Sequence, residues 1–164
     1  MSNVVVLVGN PRPGSRTAAF ATALAQRLVA TAPRVIELGE VIAVGLDAEP
    51  VRATSPQPDA WDAVSTAELL VVATPSYKGT YTGLLKLFLD RYPAGGLTGI
   101  RAVPVAVAGS PDHAGATAAD LLRLLRELGA VAGSAVAVLE SQLADGEALL
   151  DRHATRLAEE FTTA

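Results

Sequence analysis

Hydrophobic residues along this chain gather in short, nearly continuous runs instead of alternating with polar ones. The runs are Val4–Val8, Val35–Leu38, Leu69–Ala73, Val103–Ala108 and Val131–Leu139, each rich in β-branched side chains. A strand with one wet face alternates with a period of two, so continuous runs predict strands covered on both faces. Between them the apolar spacing becomes helical, predicting helices near 16–31, 59–67, 82–91, 114–129 and 145–162. Alternating strand and helix predicts a parallel sheet with right-handed crossovers and helices on both sides.

Five strands and five helices in that rhythm fit an α/β, flavodoxin-like, doubly wound fold. The expectation is a five-stranded parallel sheet of order 2-1-3-4-5, with residues 1–164 forming a single domain. The one long connection, 39–58, carries Pro50, Pro56 and Pro58 and is expected to cross the surface. No internal repeat, linker or low-complexity tail interrupts the pattern. In such sheets a ligand sits beyond the carboxyl ends of the strands, where strand order reverses. The loops 9–17, 74–81 and 109–113 emerge on that edge.

Composition narrows what such a site can hold. Half the residues are hydrophobic, 18% are charged and the net charge is −4, which argues against disorder and against nucleic-acid binding. With no cysteine, thiolate metal sites, disulfides and cysteine nucleophiles are excluded, and no metal is expected. The start, Met-Ser-Asn before the valines, lacks the basic region and cleavage site of a signal peptide, and no apolar run reaches membrane-spanning length. The expectation is a cytoplasmic protein without membrane contact.

The first loop, Asn10-Pro11-Arg12-Pro13-Gly14-Ser15-Arg16-Thr17, has the chemistry of an anion cradle. The first amides of the following helix have no intrahelical acceptor, and the helix dipole favours negative charge there. Ser15 and Thr17 add hydroxyls, Arg12 and Arg16 offer paired donors, and Pro11 and Pro13 stiffen the turn. A plain capped helix start with solvated arginines explains Ser15, but not two arginines and two prolines within six residues. Ser15 follows Gly14 where the mononucleotide P-loop needs lysine, and the dinucleotide G-x-G-x-x-G spacing is missing after Gly9. A single terminal phosphate remains, as on a mononucleotide coenzyme.

The second loop, within "ATPSYKGTYTGLLKLFLDRYP", offers backbone groups from Pro75 through Gly79, including Ser76, together with Tyr77 and Lys78. Gly79 lets backbone approach a flat ligand closely. Tyr92 is read as ordinary boundary packing. The helix 82–91 that follows the loop is apolar nearly all round, so an outward side drawn from Leu84, Leu87 and Phe88 is expected to meet a second subunit. In the third loop Gly109 lets a ring edge approach, and Ser110 before Pro111 is an N-cap able to bond a flavin carbonyl. His113 is either a pocket residue or an exposed loop histidine. His153 shares a helix face with Leu149, Leu157 and Phe161 and is read as a core or interface histidine. The acidic pair Glu159-Glu160 is read as solvated surface.

The stretch Gly9-Asn-Pro-Arg-Pro-Gly-Ser-Arg-Thr17 resembles the G-S-P-R-x-x-S-R-S/T opening of the NAD(P)H-dependent FMN reductases. "TPSYKGTYTGLLKLFLD" is similar to the T-P-x-Y-K-x-x-Y-[ST]-G-x-L-K-x-x-L-D stretch of the alkanesulfonate-utilisation FMN reductases, and the Gly109–His113 loop corresponds as well. The resemblance implies that Arg12, Ser15 and Thr17 bind the FMN phosphate, with Asn10 and Arg16 adjoining. It places Pro75, Ser76, Tyr77, Lys78 and Gly79 along ribityl and isoalloxazine, and Gly109, Ser110 and His113 at the ring. Asn10 stands where the family usually has serine. The helix after the third loop, "GATAADLLRLLREL", lacks the inserted aromatic found in some members that pass reduced flavin to a monooxygenase.

The implied reaction is hydride transfer from NADPH or NADH to flavin N5, with the flavin carrying the chemistry and no catalytic side chain required. The implied partners are FMN, a nicotinamide nucleotide, a flavin-dependent monooxygenase receiving reduced FMN, and further copies in a homodimer or tetramer. The alternatives are an FMN-bound quinone or azo reductase and, from another class, a flavodoxin-type electron carrier. Such carriers are strongly acidic, with Ser- and Thr-rich phosphate loops and aromatics flanking the ring. This chain is mildly acidic, puts arginines in the loop, and has its one tryptophan, Trp61, far from the loops in sequence.

Overall fold

A computed structural model of the chain describes residues 3–42 and 59–163. Strands β1 (Val4–Val8), β2 (Arg34–Glu37), β3 (Leu69–Pro75), β4 (Arg101–Ala108) and β5 (Val136–Leu139) form one sheet in the order β2-β1-β3-β4-β5. All its strand pairs are parallel, as the continuous apolar runs predict. The helices are α1 (Arg16–Leu28), the single turn α2 (Leu38–Val41), α3 (Ala60–Ser65), α4 (Gly83–Leu89), α5 (Pro111–Glu127) and α6 (Gly146–Thr163). A 3-10 turn, Glu140–Asp145, links β5 to α6.

The central strands β1 and β3 bury every side chain, and alternate residues feed two cores. Val4, Val6 and Val8 pack with Phe20 and Leu24 of α1 and Leu149 and Leu157 of α6. Val5 and Leu7 pack with Val64 of α3, Leu85 and Phe88 of α4, and Leu121 and Leu125 of α5. Each such side chain contributes about 1.5–3 kcal/mol by leaving water, so both faces of the sheet must be roofed by helices. The sheet is therefore held rigid at the carboxyl edge where the loops emerge.

Four local readings need correction. The 39–58 connection does not begin on the surface: Leu38 and Val41 are buried in α2, so β2 ends at Glu37, while residues 43–58, with the three prolines, lie outside the described residues. The last strand begins at Val136, not Val131, which forms an isolated bridge to Arg101 and is 51% exposed. The interruption falls at Gly133 and Ser134, where side chains take over the bonding: Arg126 of α5 donates to the Ala132 and Gly133 carbonyls, and α6 holds the residues after them. The Ser134 amide and hydroxyl donate to the Glu160 carboxylate, and Arg156 donates to the Ser134 hydroxyl and the Ala135 carbonyl. Glu160 is thus partly buried and bonded to Ser134, whereas Glu159 is exposed as expected.

The fourth lies in α4. Phe88 is fully buried, stacked on Trp61 with ring centroids 4.9 Å apart and set edge-on to Tyr92 at 6.0 Å. Leu85 and Leu89 share that inward side, whereas Leu84 and Leu87 are half-buried on the outward side. A helix apolar nearly all round gives a weak period from which to choose its inner face, and of the three residues expected outward Phe88 faces inward. Tyr92 is a boundary residue as expected, its hydroxyl donating to the Trp61 carbonyl at 2.8 Å.

His153 lies between α6 and α1, half-buried, its ring edge-on to Phe20 with centroids 6.4 Å apart. Burial, then Arg156 and Arg152, hold its imidazole below the ordinary value of 6.5. The unfolded chain therefore takes up this proton before the folded one does. The stabilisation is complete above pH 6.5 and is lost as pH falls toward the lower folded value. Urea denaturation of wild type and His153→Gln at pH 7.5 and 5.5 checks this. Wild type should lose more stability between the two pH values than the variant, and equal losses would assign the acid sensitivity elsewhere.

Candidate functional site

Strand order reverses between β1 and β3, and the chain leaves them in opposite directions, to α1 on one face and α4 on the other. The two loops diverge and open a crevice. Their bases are tied together. The Gly9 amide donates to the Ala73 carbonyl at 2.7 Å, and the buried Thr82 hydroxyl donates to the Gly9 carbonyl at 2.6 Å while capping α4 by accepting from the Leu85 amide at 3.2 Å. A Cβ on Gly9 would stand 2.8 Å from that of Leu85, so only glycine lets α4 come this close.

Local bonds shape the first loop. Asn10 Oδ1 accepts from the Arg12 amide at 2.9 Å, an Asx-type turn. Gly14 takes φ +67° and donates its amide to Glu37 at 2.8 Å. Ser15 caps α1, its Oγ accepting from the Ala18 amide at 3.1 Å, and the Arg16 and Thr17 amides have no intrahelical acceptor. Gly39 of α2 supports the loop from below, where a Cβ would come within 2.4 Å of the Pro11 carbonyl oxygen.

These turns bring Asn10, Arg12, Ser15, Arg16 and Thr17 to one side of a cavity of about 530 Å³, with Pro75 and Tyr77 on another side. That volume lies within the roughly 300–1,000 Å³ range of small-molecule and cofactor sites. Val107, Glu140 and Leu143 complete the wall and were missed from sequence. The signal for the last two was positional: they follow the carboxyl end of β5, a fourth loop on the ligand edge. Glu140 pairs with Arg16, Oε2 to Nη2 at 2.9 Å.

The second loop is a tight hairpin. Tyr77 and Thr80 exchange backbone bonds of 2.8 and 3.3 Å, and the two residues between them have positive φ, Lys78 at 56° and Gly79 at 84°. This is the primed turn, for which Gly79 is suited and Lys78 is strained. The Thr80 hydroxyl donates to Asp120 of α5 at 2.8 Å and anchors the hairpin. Ser76 faces α5 and not the cavity, its Oγ accepting from the Thr117 hydroxyl at 2.7 Å.

In the third loop Ser110 caps α5, and a Cβ at Gly109 would meet nothing within 4 Å. His113 is exposed, and its Cδ2 stands 3.8 Å from where a Gly79 Cβ would be. Lys78, Gly79, Gly109, Ser110 and His113 therefore lie outside the cavity wall, beside its mouth along the same sheet edge. Among the described residues no group of three or more His, Asp or Glu side chains could hold a metal ion. No described helix is long and apolar enough to cross a membrane.

This arrangement agrees with three comparisons. The family model for NADPH-dependent FMN reductases matches residues 2–144. The chain is 35% identical over 115 residues to an FMN reductase (NADPH) of Pseudomonas aeruginosa, a match covering 68% of this chain and 61% of the relative. It is 32% identical over 118 residues to an NADH-dependent FMN reductase of Pseudomonas putida, covering 68% and 62%. The matched segment thus spans less than two thirds of these relatives. Among solved structures, the apo form of an NADH:FMN oxidoreductase aligns with TM-score 0.79 and 29% identity, covering 98% of this chain and 88% of that one. The family match spans most of the chain: it belongs to the NADPH-dependent FMN reductases.

Proposed function

We propose that this chain is an NAD(P)H:flavin oxidoreductase that takes FMN at the carboxyl edge of β1, β3 and β4. The observation that carries the reading is the polarity of the cavity. Arg12, Arg16 and the open amides of α1 make one end cationic, while Pro75, Tyr77 and Val107 line the other with flat or apolar groups. A ligand with a phosphate at one end and a flat ring system at the other matches that polarity. Open space over Gly109 gives such a ring room at its edge.

Bound FMN supplies the hydride-accepting ring, and a nicotinamide nucleotide, NADPH or NADH, supplies the hydride. The chain's own part is to bind and orient. Arg12, Ser15 and Thr17, with Asn10 and Arg16 beside them, hold the phosphate by charge-assisted bonds. The Pro75–Gly79 hairpin runs along ribityl and ring, and Gly109, Ser110 and His113 border the ring edge. Lys78 puts a positive charge there, which favours added electrons. No side chain acts as an acid or base. The protein works as a cytoplasmic homodimer or tetramer, and its reduced flavin serves a flavin-dependent monooxygenase.

The deciding experiment is steady-state oxidation of NADPH and NADH with FMN varied, and quinone assayed separately after free flavin is removed. Saturable FMN turnover with little quinone activity is expected. Full-rate quinone reduction by flavin-loaded protein alone would move the chain to the quinone or azo reductases.

Two variants probe the parts. Arg12→Ala should weaken FMN binding by about 1–3 kcal/mol and leave riboflavin, which has no phosphate, nearly unaffected. Equal losses for both ligands in a fluorescence titration would remove the phosphate from this loop. On the outward side of α4, Leu87→Asp should convert the oligomer to monomer in sedimentation velocity, because Leu84 and Leu87 remain half-exposed in one chain. Wild type sedimenting as a monomer at micromolar concentration would end the oligomer proposal.

A further inference from the structure

The Arg16–Glu140 pair stands inside the cavity wall, which is an odd place for a carboxylate in a phosphate site. Every other residue of that wall, among the described residues, is neutral or cationic. The contact is 2.9 Å, and it joins residues 124 positions apart: Arg16 at the first turn of α1, Glu140 opening the turn after β5. Glu140 is placed by structure on either side of it. The strand β5 ends at Leu139, and the Leu139 amide donates to the Gln142 side chain at 3.0 Å, which fixes the start of the turn. Both charged ends stay wet, with 67% of the Arg16 side chain and 49% of the Glu140 side chain exposed.

We infer that Glu140 is a positioning residue that competes with the flavin phosphate for Arg16, and so limits how tightly FMN is held. The inference rests on the proposed phosphate cradle. One guanidinium faces two anionic partners. If Arg16 turns to the phosphate, Glu140 is left unpaired in the wall beside an anion; if it stays, the phosphate forgoes one of its two arginines. In either state the Glu140 carboxylate makes the bound phosphate less favourable, by keeping Arg16 or by standing unpaired beside the anion. Because the pair is solvated, the effect is modest, about two- to fivefold in affinity. A site that must take up and give up FMN at each turnover gains from a carboxylate here, whereas a site keeping FMN permanently would be weakened by it.

The test is a fluorescence titration of FMN and riboflavin against wild type, Glu140→Gln, Glu140→Asp, Arg16→Ala and the Arg16→Ala/Glu140→Gln double variant. Glu140→Gln should tighten FMN about two- to fivefold and leave riboflavin unchanged. Glu140→Asp, which keeps the carboxylate, should stay close to wild type. In the Arg16→Ala background the Glu140→Gln gain should vanish, because there is no guanidinium left to compete for. In steady state Glu140→Gln should lower KM for FMN without raising kcat. Unchanged or weaker FMN binding in Glu140→Gln, an equal gain for riboflavin, or a gain that survives without Arg16 would each overturn the inference. Failure of the cradle reads differently: wild type would then bind FMN no better than riboflavin. A clear wild-type preference for FMN with no response to Glu140→Gln would sink the competition alone.

Discussion

The hydroxyl of Thr82 is the point on which the site's geometry turns. It donates to the Gly9 carbonyl at the end of β1 and accepts from the Leu85 amide in α4, while the Thr82 amide donates to the Thr74 hydroxyl at 3.2 Å. Three segments, the ends of β1 and β3 and the start of α4, are joined through one buried residue, by its hydroxyl to β1 and α4 and by its amide to Thr74. An unpaired polar group there would cost about 1–3 kcal/mol, so the arrangement tolerates little drift. Gly9 completes it by letting Leu85 press against the backbone. The width of the crevice between the two loops is set here, below the cavity, by atoms a ligand never touches.

Above that base the chain concentrates charge sparingly. A protein of net charge −4 gathers two of its arginines within five residues and then brackets them with carboxylates. Glu37 holds the Gly14 amide on one side, and Glu140 holds the Arg16 side chain on the other. The two acids act differently. Glu37 bonds to backbone and orders the turn, so it adds preorganisation. Glu140 bonds to a side chain that a ligand also wants, so it adds competition. A helix N-terminus with two arginines and no acids would attract any anion; the carboxylates limit that pull.

The sheet was legible because buried parallel strands leave a local signature, an unbroken apolar run, and five such runs alternating with helices fit the flavodoxin-like order 2-1-3-4-5 that the sheet has. What failed was whatever depends on distant partners. Val131–Leu139 looks like one strand, but the Glu160 and Arg156 side chains, more than twenty residues away, claim Ser134 and Ala135. Phe88 and Leu87 are equally apolar, and only Trp61 from α3 decides which faces inward. Within the site, the cradle was readable because Asn10, Arg12, Ser15 and Thr17 are neighbours in sequence. Glu140 was not, since its relation to Arg16 exists only after five strands have assembled.

The hairpin at Tyr77 shows how the same scaffold separates holding from adapting. Its tip is fixed by backbone conformation, with Lys78 and Gly79 both left-handed, and its far side is fixed to α5 by Thr80 and Asp120. Tyr77 itself remains 45% exposed and packs into no core. Its backbone is therefore stiff while its ring is free to settle against whatever enters the cavity. The first loop is built the other way, with Asn10 Oδ1 and Ser15 Oγ accepting the internal bonds that shape its backbone while the Arg12 and Arg16 side chains stay exposed. In the proposed complex a phosphate would meet the arginines and helix amides at one end, and a ring would meet an exposed aromatic at the other. That division suits a reaction in which the bound molecules carry the chemistry and the protein contributes their placement.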